Sequence, residues 1–274
     1  MDYAPHGPVL NGQLREWPAL WSALRNQLSQ GGGTILKVEP QWTEDVSAIL
    51  EETGARPAKS IQHRATAMVD LRGGEEVFAR MSASARRNMR QAERAGVTIE
   101  TSCQGRAIDH LYELLLDTAN RRRFIVRSCL YYRDVLDAFN ALPLEDRVGE
   151  ALIYLARHEG ETVAASMMVR YGARLVYLFS GSTEPARELK APYLIQQRAL
   201  SDAQAMGCTS YDLWGMPPDA RPGDPGWGYA HFKTMLGGQQ VKFGGAWDLA
   251  VRRTLAAAYH LAERMVMPPM AVAS

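Results

Sequence analysis

Short apolar runs alternate with helical patterns along the first hundred residues. The runs GPVL, TILKVEP and ATAMVDL predict strands, and apolar residues at helical spacing predict helices around Trp17 to Leu28 and around Thr43 to Thr53. This alternation predicts a βαβαβ-like arrangement at the start of the chain.

An arginine-rich helical segment, EEVFARMSASARRNMRQAERAG, follows the turn-forming Gly73 and Gly74. Its apolar positions can face a core: Val77, Met81 and Met89. Three basic positions share another face: Arg87, Arg90 and Arg94. Gly96 is suited to end the helix, and VTIE then predicts a strand.

The pattern changes near Arg106. Two helical stretches lead through Pro143 into three strand-like runs, ALIYLARHEG, TVAASMMVRYG and RLVYLFSGS. A helix from about Pro192 to Met206, the strand SYDLWGM, a last strand in VKFGGAWDLAV and an amphipathic helix complete the chain. The order of two helices, antiparallel meander, helix and strand resembles an acyl-CoA N-acyltransferase (GNAT-like) unit.

Composition indicates a globular protein, with 46% hydrophobic and 22% charged residues among 274. No apolar run reaches the roughly 18–20 residues that span a bilayer, and the first residues do not resemble a signal peptide, so the cytoplasm is the expected location. Three widely spaced cysteines predict buried thiols, and neither a disulfide framework nor a metal site is expected: Cys103, Cys129 and Cys208.

The sequence of the turn before the Pro192 helix indicates whether the chain can bind coenzyme A. A pyrophosphate needs bare backbone N–H groups, which the usual R/Q-x-x-G-x-G/A pattern supplies. Here the turn reads ARELKAPYLI: Arg187 fits the first position, but Lys190 and Pro192 replace both glycines. We therefore expect an acyl donor other than CoA, and no cofactor.

Several motifs in order resemble the Fem ligases, which use aminoacyl-tRNA to build peptidoglycan side branches: YAPHGPVL, ILKVEP, SASARRNMRQAERAGVTIE, IVRSCLYY, YLFSGSTEPARELKAPYLIQQRAL, YDLWGM and YAHFKTMLGG. The resemblance implies an α/β (α+β) fold of two tandem GNAT-like domains with mixed central sheets. It also implies aminoacyl transfer onto an amine of a precursor stem peptide, forming an interpeptide bridge. The partners would be aminoacyl-tRNA as donor and UDP-MurNAc-pentapeptide or a lipid-linked muramyl peptide as acceptor, with room for a peripheral membrane contact.

The change near Arg106 predicts the domain boundary. Residues 1–105 would form the first domain, completed by a strand and helix in 246–274, and residues 106–245 the second. Relative to the Fem family the first domain would lack its N-terminal part, which includes a lysine that contacts the precursor phosphates.

Two neighbouring residues near the end of the second domain are the predicted catalytic pair. Lys233 matches the family's lysine in a Phe-Lys motif, and Phe232 would form a wall of the cleft. Ester aminolysis builds negative charge on the carbonyl oxygen, which a fixed ammonium offsets.

Four further residues are candidates for the acceptor site. Arg127 and Tyr131 match a family pair that contacts the nucleotide-peptide precursor, and on a helix their spacing would place them on one face. Tyr177 matches a tyrosine of the central strand, although Phe179 stands where the family can have a second one. Glu39 could orient an amine.

The arginines of the basic helix, Arg87, Arg90 and Arg94, are candidates for contacting the tRNA acceptor stem. They belong to a stretch from Arg80 to Arg133 with eleven arginines and five acids, whereas the whole chain has a net charge of +1. Two other functions stay open: a GNAT-type acyltransferase that uses CoA or an acyl carrier on a small amine, and a catalytically silent module that binds tRNA or cell-wall precursor.

Overall fold

The computed structural model describes residues 1–10, 14–74, 76–143 and 148–266. The strands of this part are β1 (Asp2–His6), β2 (Ile35–Pro40), β3 (Arg56–Ala58), β4 (Ala65–Asp70), β5 (Thr98–Ser102), β6 (Gly149–His158), β7 (Glu161–Tyr171), β8 (Arg174–Ser182), β9 (Ser210–Gly215), β10 (Gln239–Lys242) and β11 (Ala246–Ala250). The α-helices are α1 (Trp17–Gln30), α2 (Ser47–Glu52), α3 (Glu76–Ala79), α4 (Ala83–Arg94), α5 (Arg106–Arg122), α6 (Cys129–Asn140), α7 (Glu184–Glu188), α8 (Ala191–Ala205), α9 (Trp227–Met235) and α10 (Arg253–Val266).

The arginine-rich segment forms two helices, α3 and α4. The second begins at a Ser82 cap, whose hydroxyl accepts the Ala85 N–H at 3.0 Å, and Gly96 follows its end with a φ of 78°. Its predicted core residues are buried: Val77, Met81 and Met89. The strand prediction for GPVL is wrong, because β1 ends at His6 and residues 7–10 lie outside any strand.

Unit 1 comprises Met1–Thr66, Gly215–Ala230 and Gln240–Ser274. Its four-stranded sheet has the order β1-β2-β11-β3, with β1 parallel to β2 through α1 and β11 antiparallel to both neighbours. Large apolar residues of α1, α2, β2 and β11 form its core: Trp17, Trp21, Val38, Leu50, Trp247 and Leu249. The helix α1 and the strand β2 of this βαβ unit are therefore as predicted, whereas its first strand is Asp2–His6 and not GPVL.

Unit 2 comprises Ala67–Trp214 and His231–Gln239. The seven-stranded sheet has the order β10-β4-β9-β8-β7-β6-β5, and unit 2 contains the whole of the antiparallel meander β5 to β8. Helices α5 and α6 pack on this meander through a buried cluster that includes Ile108, Leu111, Leu136, Ile153 and Met167. The run ATAMVDL, as β4, belongs to this sheet and not to the sheet of β1 and β2.

The packing units divide the chain at Thr66, whereas the sequence places a domain boundary near residue 105. Residues 67–105 pack with unit 2, and β11 joins the sheet of β1 to β3. The assignment of residues 1–105 and 106–245 to two GNAT-like domains stays a prediction, because packing units need not coincide with evolutionary domains.

Two sequence expectations concern cysteines and membranes. Cys208 is buried and Cys129 half-buried, but Cys103 is exposed, so the prediction of three buried thiols is wrong there. Among the described helices, none combines the length and apolar character that crossing a membrane requires.

Candidate active site

Strands β8 and β9 run side by side for only part of their length. Their parallel pairing covers three residues, from Arg174 with Ser210 to Val176 with Asp212. On the other edge of β8 a bulge occurs, because Met168 pairs with Tyr177 and Met167 with Phe179. The carboxyl ends of the two strands are therefore unpaired with each other, and Tyr177 and Trp214 follow the last pair.

Lys233, on α9, projects to the end of β9. Its side chain is 7% exposed, and its Nζ donates a hydrogen bond to the Trp214 carbonyl at 3.1 Å. The buried Asp212 carboxylate accepts the Trp214 N–H at 2.9 Å, as expected for a structural acid at a strand end. The ammonium is thus held close to the point where β8 and β9 separate.

The pKa of Lys233 is lowered to about 8, because burial penalises the charged form. The negative charge of Asp212 acts in the opposite direction and raises it. At neutral pH the side chain therefore remains mostly an ammonium, in surroundings that hold little water.

The glycines after α9 allow this helix to end against the sheet. The Gly238 N–H donates to the Lys233 carbonyl at 3.1 Å. A Cβ at Gly238 would lie 2.8 Å from that carbonyl oxygen and 3.0 Å from side-chain atoms of Ala67 and Leu213. Any side chain at this position would push the Lys233 helix away from β9.

Phe232 packs against α8. Its ring lies edge-on to Tyr193, with centroids 4.9 Å apart and an angle of 70° between the planes. Burial raises the pKa of Tyr193, and a hydrogen bond with the Asn88 side chain opposes that rise. Phe232 is half-buried, so one part of the ring packs and the rest can still face a cleft.

Arg127 and Tyr131 are brought together, but not on a helical face. Helix α6 begins at Cys129, so Arg127 precedes it and the helix-face prediction is wrong for that residue. The Arg127 guanidinium nevertheless lies over the Tyr131 ring, 5.3 Å from its centroid, in a cation–π contact. The Tyr131 ring in turn packs edge-on against Phe179 of β8 at 6.2 Å.

Tyr177 lies on β8 at the bulge and is half-buried. Its hydroxyl makes side-chain hydrogen bonds with Ser166 and Ser180, while burial raises its pKa. The phenol therefore remains protonated at neutral pH and can donate a hydrogen bond. Through Phe179 and Tyr131, a continuous series of rings connects this strand to Arg127.

Glu39 lies in unit 1, and its carboxylate accepts several hydrogen bonds. Its carboxylate accepts the Ile61 N–H at 2.6 Å, the Gln62 N–H at 2.9 Å and the Tyr3 hydroxyl at 2.5 Å. Burial and this carboxylate raise the pKa of Tyr3 to about 12. These bonds hold the Glu39 carboxylate in place, and its predicted contact with an amine stays a prediction.

Three arginines of α4 are exposed: Arg87, Arg90 and Arg94. Within the described residues, no hydrogen bond or salt bridge engages their guanidinium groups. Their neighbour Arg86 differs, since it donates to the carbonyls of Ala79 and Met81. The exposed face of α4 is therefore available to a ligand, and its contact with tRNA stays a prediction.

The fold and the site now allow comparison with known proteins. The model of the FemAB family matches residues 50–144 and 142–264. The chain belongs to the FemAB family. A curated relative, the UDP-N-acetylmuramoylpentapeptide-lysine N(6)-alanyltransferase of Weissella viridescens, is 23% identical over 127 residues, which make up 46% of this chain and 35% of that protein. The match thus spans about a third of the relative's length.

Several solved structures, FemX and a tandem GNAT protein among them, have a fold similar to that of this FemAB chain. The match with FemX covers 95% of this chain and 82% of the FemX chain, with a TM-score of 0.81 and 17% identity. A tandem GNAT protein of the clavulanic acid pathway matches over 91% of this chain and 75% of its own chain, with a TM-score of 0.56 and 15% identity. The C-terminal domain of a putative lysylphosphatidylglycerol synthetase of Agrobacterium fabrum matches over 96% of this chain and 81% of its own chain, with a TM-score of 0.61 and 15% identity. The predicted α/β fold with mixed sheets is confirmed.

The turn before α8 differs from a pyrophosphate cradle. Within this FemAB chain the Leu189 and Lys190 N–H groups donate to the carbonyls of Pro185 and Arg187, at 3.0 and 3.3 Å. Pro192 follows in the first turn of α8 and has no N–H. These donors are already used or missing, and the expectation that CoA is not the donor stays a prediction.

Sequence reasoning missed two parts of the site. The Trp214 carbonyl, which orients Lys233, and Gly238, which lets α9 approach the sheet, were not predicted. Gly237 and Gly238, four and five residues after Lys233, signal a tight approach, but the residues that Gly238 approaches, such as Ala67, are distant in sequence.

Proposed function

We propose that the chain is an aminoacyltransferase that moves an amino acid from aminoacyl-tRNA to an amine of a peptidoglycan precursor. The observation that carries the proposal is Lys233, a buried ammonium with a lowered pKa at the separation of β8 and β9. Membership of the FemAB family and the printed name of the Weissella viridescens relative support the same reaction.

In this reaction the acceptor amine attacks the ester carbonyl carbon of the aminoacyl-tRNA. A C–N bond forms, the ester C–O bond breaks, and the proton lost by the amine ends on the ribose hydroxyl that leaves. The carbonyl oxygen becomes negative in the tetrahedral state, and the Lys233 ammonium stabilises it there. A preorganised cation in dry surroundings costs no solvent reorganisation at that moment.

The remaining residues divide between the two substrates. Arg127 binds the diphosphate of the acceptor, held in place by the Tyr131 ring, and Tyr177 donates a hydrogen bond nearby. Phe232 forms a wall next to Lys233, and Glu39 orients an amine of the acceptor. Arg87, Arg90 and Arg94 contact the phosphates of the tRNA acceptor stem, which gives a small footprint that reads no base sequence. The reaction takes place in the cytoplasm, where charged tRNA is made.

The decisive experiment incubates the protein with a pool of charged tRNAs and with muramyl-pentapeptide, either nucleotide-linked or lipid-linked. A mass increase of the acceptor by one aminoacyl residue supports the proposal, and Lys233→Met is the matched control that should abolish the increase. Transfer from acetyl-CoA instead would favour the GNAT-type acyltransferase. Binding of both substrates without any mass change would identify a silent binding module.

A further inference from the structure

Residues 122–131, which we call the basic-apolar segment, run from the last residue of α5 into the first turn of α6 and expose several large apolar side chains. Ile125 is 98% exposed, more than any other large apolar residue in the described part of the chain. Leu130 is 63% and Phe124 46% exposed. Large apolar side chains that lie this close in sequence and are this exposed mark a candidate interaction surface.

The segment is held in place by unit 2. The Phe124 N–H donates to the Ala119 carbonyl and the Arg127 N–H to the Tyr132 hydroxyl, both at 3.3 Å. Val126, next to Ile125, packs against the core cluster under α5 and α6. The exposure of Ile125 is therefore built into the fold, since its neighbours on both sides are anchored.

The segment also carries three positive charges and no acidic residue. In the part of the chain that the structure describes, no carboxylate pairs with Arg122, Arg123 or Arg127. The flanking arginines are different, because Arg121 pairs with Asp117 at 3.3 Å and Arg133 with Asp109 at 3.1 Å. The charges beside Ile125 are thus the ones that remain for an external anion.

We propose that the basic-apolar segment docks on the surface of an anionic phospholipid bilayer. Ile125, Phe124 and Leu130 enter the boundary between headgroups and acyl chains, and the arginines bind lipid phosphates. A nucleic acid fits less well, because Ile125 and Leu130 can neither stack on a base nor bond a phosphate. A second copy of the chain would bring like charges together across a two-fold axis.

Docking also bears on the acceptor, and this step rests on the proposed function. Arg127, the proposed diphosphate ligand, is two residues from Ile125. With Ile125 in the bilayer boundary, Arg127 lies at the depth of the lipid phosphates. The acceptor is then a diphosphate anchored in the membrane, a lipid-linked muramyl peptide, rather than the nucleotide-linked precursor.

The test measures binding of the full chain, without substrates, to sedimented vesicles of phosphatidylcholine with about a third of phosphatidylglycerol. Ile125→Ser should lower the partition coefficient about tenfold. Arg122→Gln with Arg123→Gln should lower it about twentyfold at low salt, and less at high salt. Val148→Ser, which changes another exposed β-branched residue of the same unit, should leave it unchanged.

Docking would be overturned by equal binding to vesicles of phosphatidylcholine alone, or by unchanged vesicle binding in Ile125→Ser and Leu130→Ser. It would also be overturned if Ile125→Ser changed only the affinity for tRNA, or only the dimer seen in sedimentation equilibrium. Because no substrate is present, a failure of aminoacyl transfer leaves this result intact. If docking holds and the enzyme still prefers the nucleotide-linked acceptor, the acceptor step is wrong.

Discussion

Lys233 is buried from solvent by the fold, yet its side chain keeps its positive charge at neutral pH. The Trp214 carbonyl takes one of its three N–H donors, and Asp212 two residues earlier supports the charge. A buried lysine with a lowered pKa costs stability at neutral pH, so a purely structural residue here would more often be apolar. This cost is the physical argument that the position serves chemistry.

Replacing Lys233 should separate catalysis from binding. If the ammonium meets the oxygen only in the tetrahedral state, Lys233→Met should lower kcat roughly a hundred- to a thousandfold with little change in either KM. Lys233→Arg should rescue poorly, because the planar guanidinium does not occupy the position of an ammonium. Steady-state kinetics check this, and near-normal kcat with a raised KM would reassign the lysine to substrate binding.

The same substitution should change how stability depends on pH. The pKa of Lys233 is about 8 in the folded chain, and its ordinary value is 10.5. Between these two pH values the unfolded chain binds more protons than the folded chain, so the free energy of unfolding rises with pH. Relative to Lys233→Met, the wild type should gain about 2 kcal/mol from roughly pH 7.5 to 9.5. Urea unfolding at several pH values measures this, and parallel profiles would contradict it.

Arg127 should act mainly on acceptor affinity. A diphosphate remote from the reacting carbonyl contributes uniform binding, so Arg127→Ala should raise the acceptor KM by roughly ten- to a hundredfold while kcat at saturation changes little. Arg133→Ala, at an arginine already paired with Asp109, is the matched control. An unchanged acceptor KM in Arg127→Ala would show that this arginine only covers Tyr131.

At the scale of elements, the sequence supplied candidate site residues but did not predict how the elements that carry them meet. Lys233, Tyr177 and Arg127 were chosen by motif. Periodicity predicted the strand that carries Tyr177 but not the helix α9 that carries Lys233, and Arg127 lies before α6 rather than on it. The helix-face prediction placed Arg127 on a helix, whereas α6 begins at Cys129 after Ser128, a residue type that begins helices. The divergence of β8 from β9 could not be predicted, because parallel pairing depends on contacts between residues far apart in sequence.

The turn from α7 to α8 gives the prediction for the donor. Its Leu189 and Lys190 N–H groups are bonded within the turn, and Pro192 lacks one, so acetyl-CoA should not bind measurably in the physiological range. Isothermal titration calorimetry tests this, with charged tRNA as the positive control. A micromolar dissociation constant for acetyl-CoA would favour the GNAT-type acyltransferase.

At the scale of the whole molecule, the fold class followed from the order of elements, whereas the packing units did not. Strand β4 follows a βαβ pattern, yet it belongs to the seven-stranded sheet. Strand β11 is about two hundred residues from β2 in sequence and pairs with it. Local patterns predict that a strand forms, but they do not determine which other strand it pairs with.

A buried ion pair connects those two distant strands. Lys37 of β2 and Asp248 of β11 are directly opposite each other, with Nζ and Oδ1 2.8 Å apart and both side chains buried. Asp248→Ala leaves the cation unpaired and should cost about 3–5 kcal/mol of unfolding free energy. Lys37→Met with Asp248→Leu should be nearly neutral. Urea unfolding followed by tryptophan fluorescence measures both, and equal losses in the two variants would contradict the prediction.

The position of β11 between β2 and β3 has a consequence for synthesis on the ribosome. Strand β2, whose six residues are all buried, is made early, but its partner on one edge emerges only after every other strand. Until residues 246–250 leave the exit tunnel, a nascent chain presents that apolar edge without its native partner. The meander β5 to β8 is contiguous and can form meanwhile, so a ribosome stalled before residue 246 would carry a folded meander beside a β-edge that chaperones recognise.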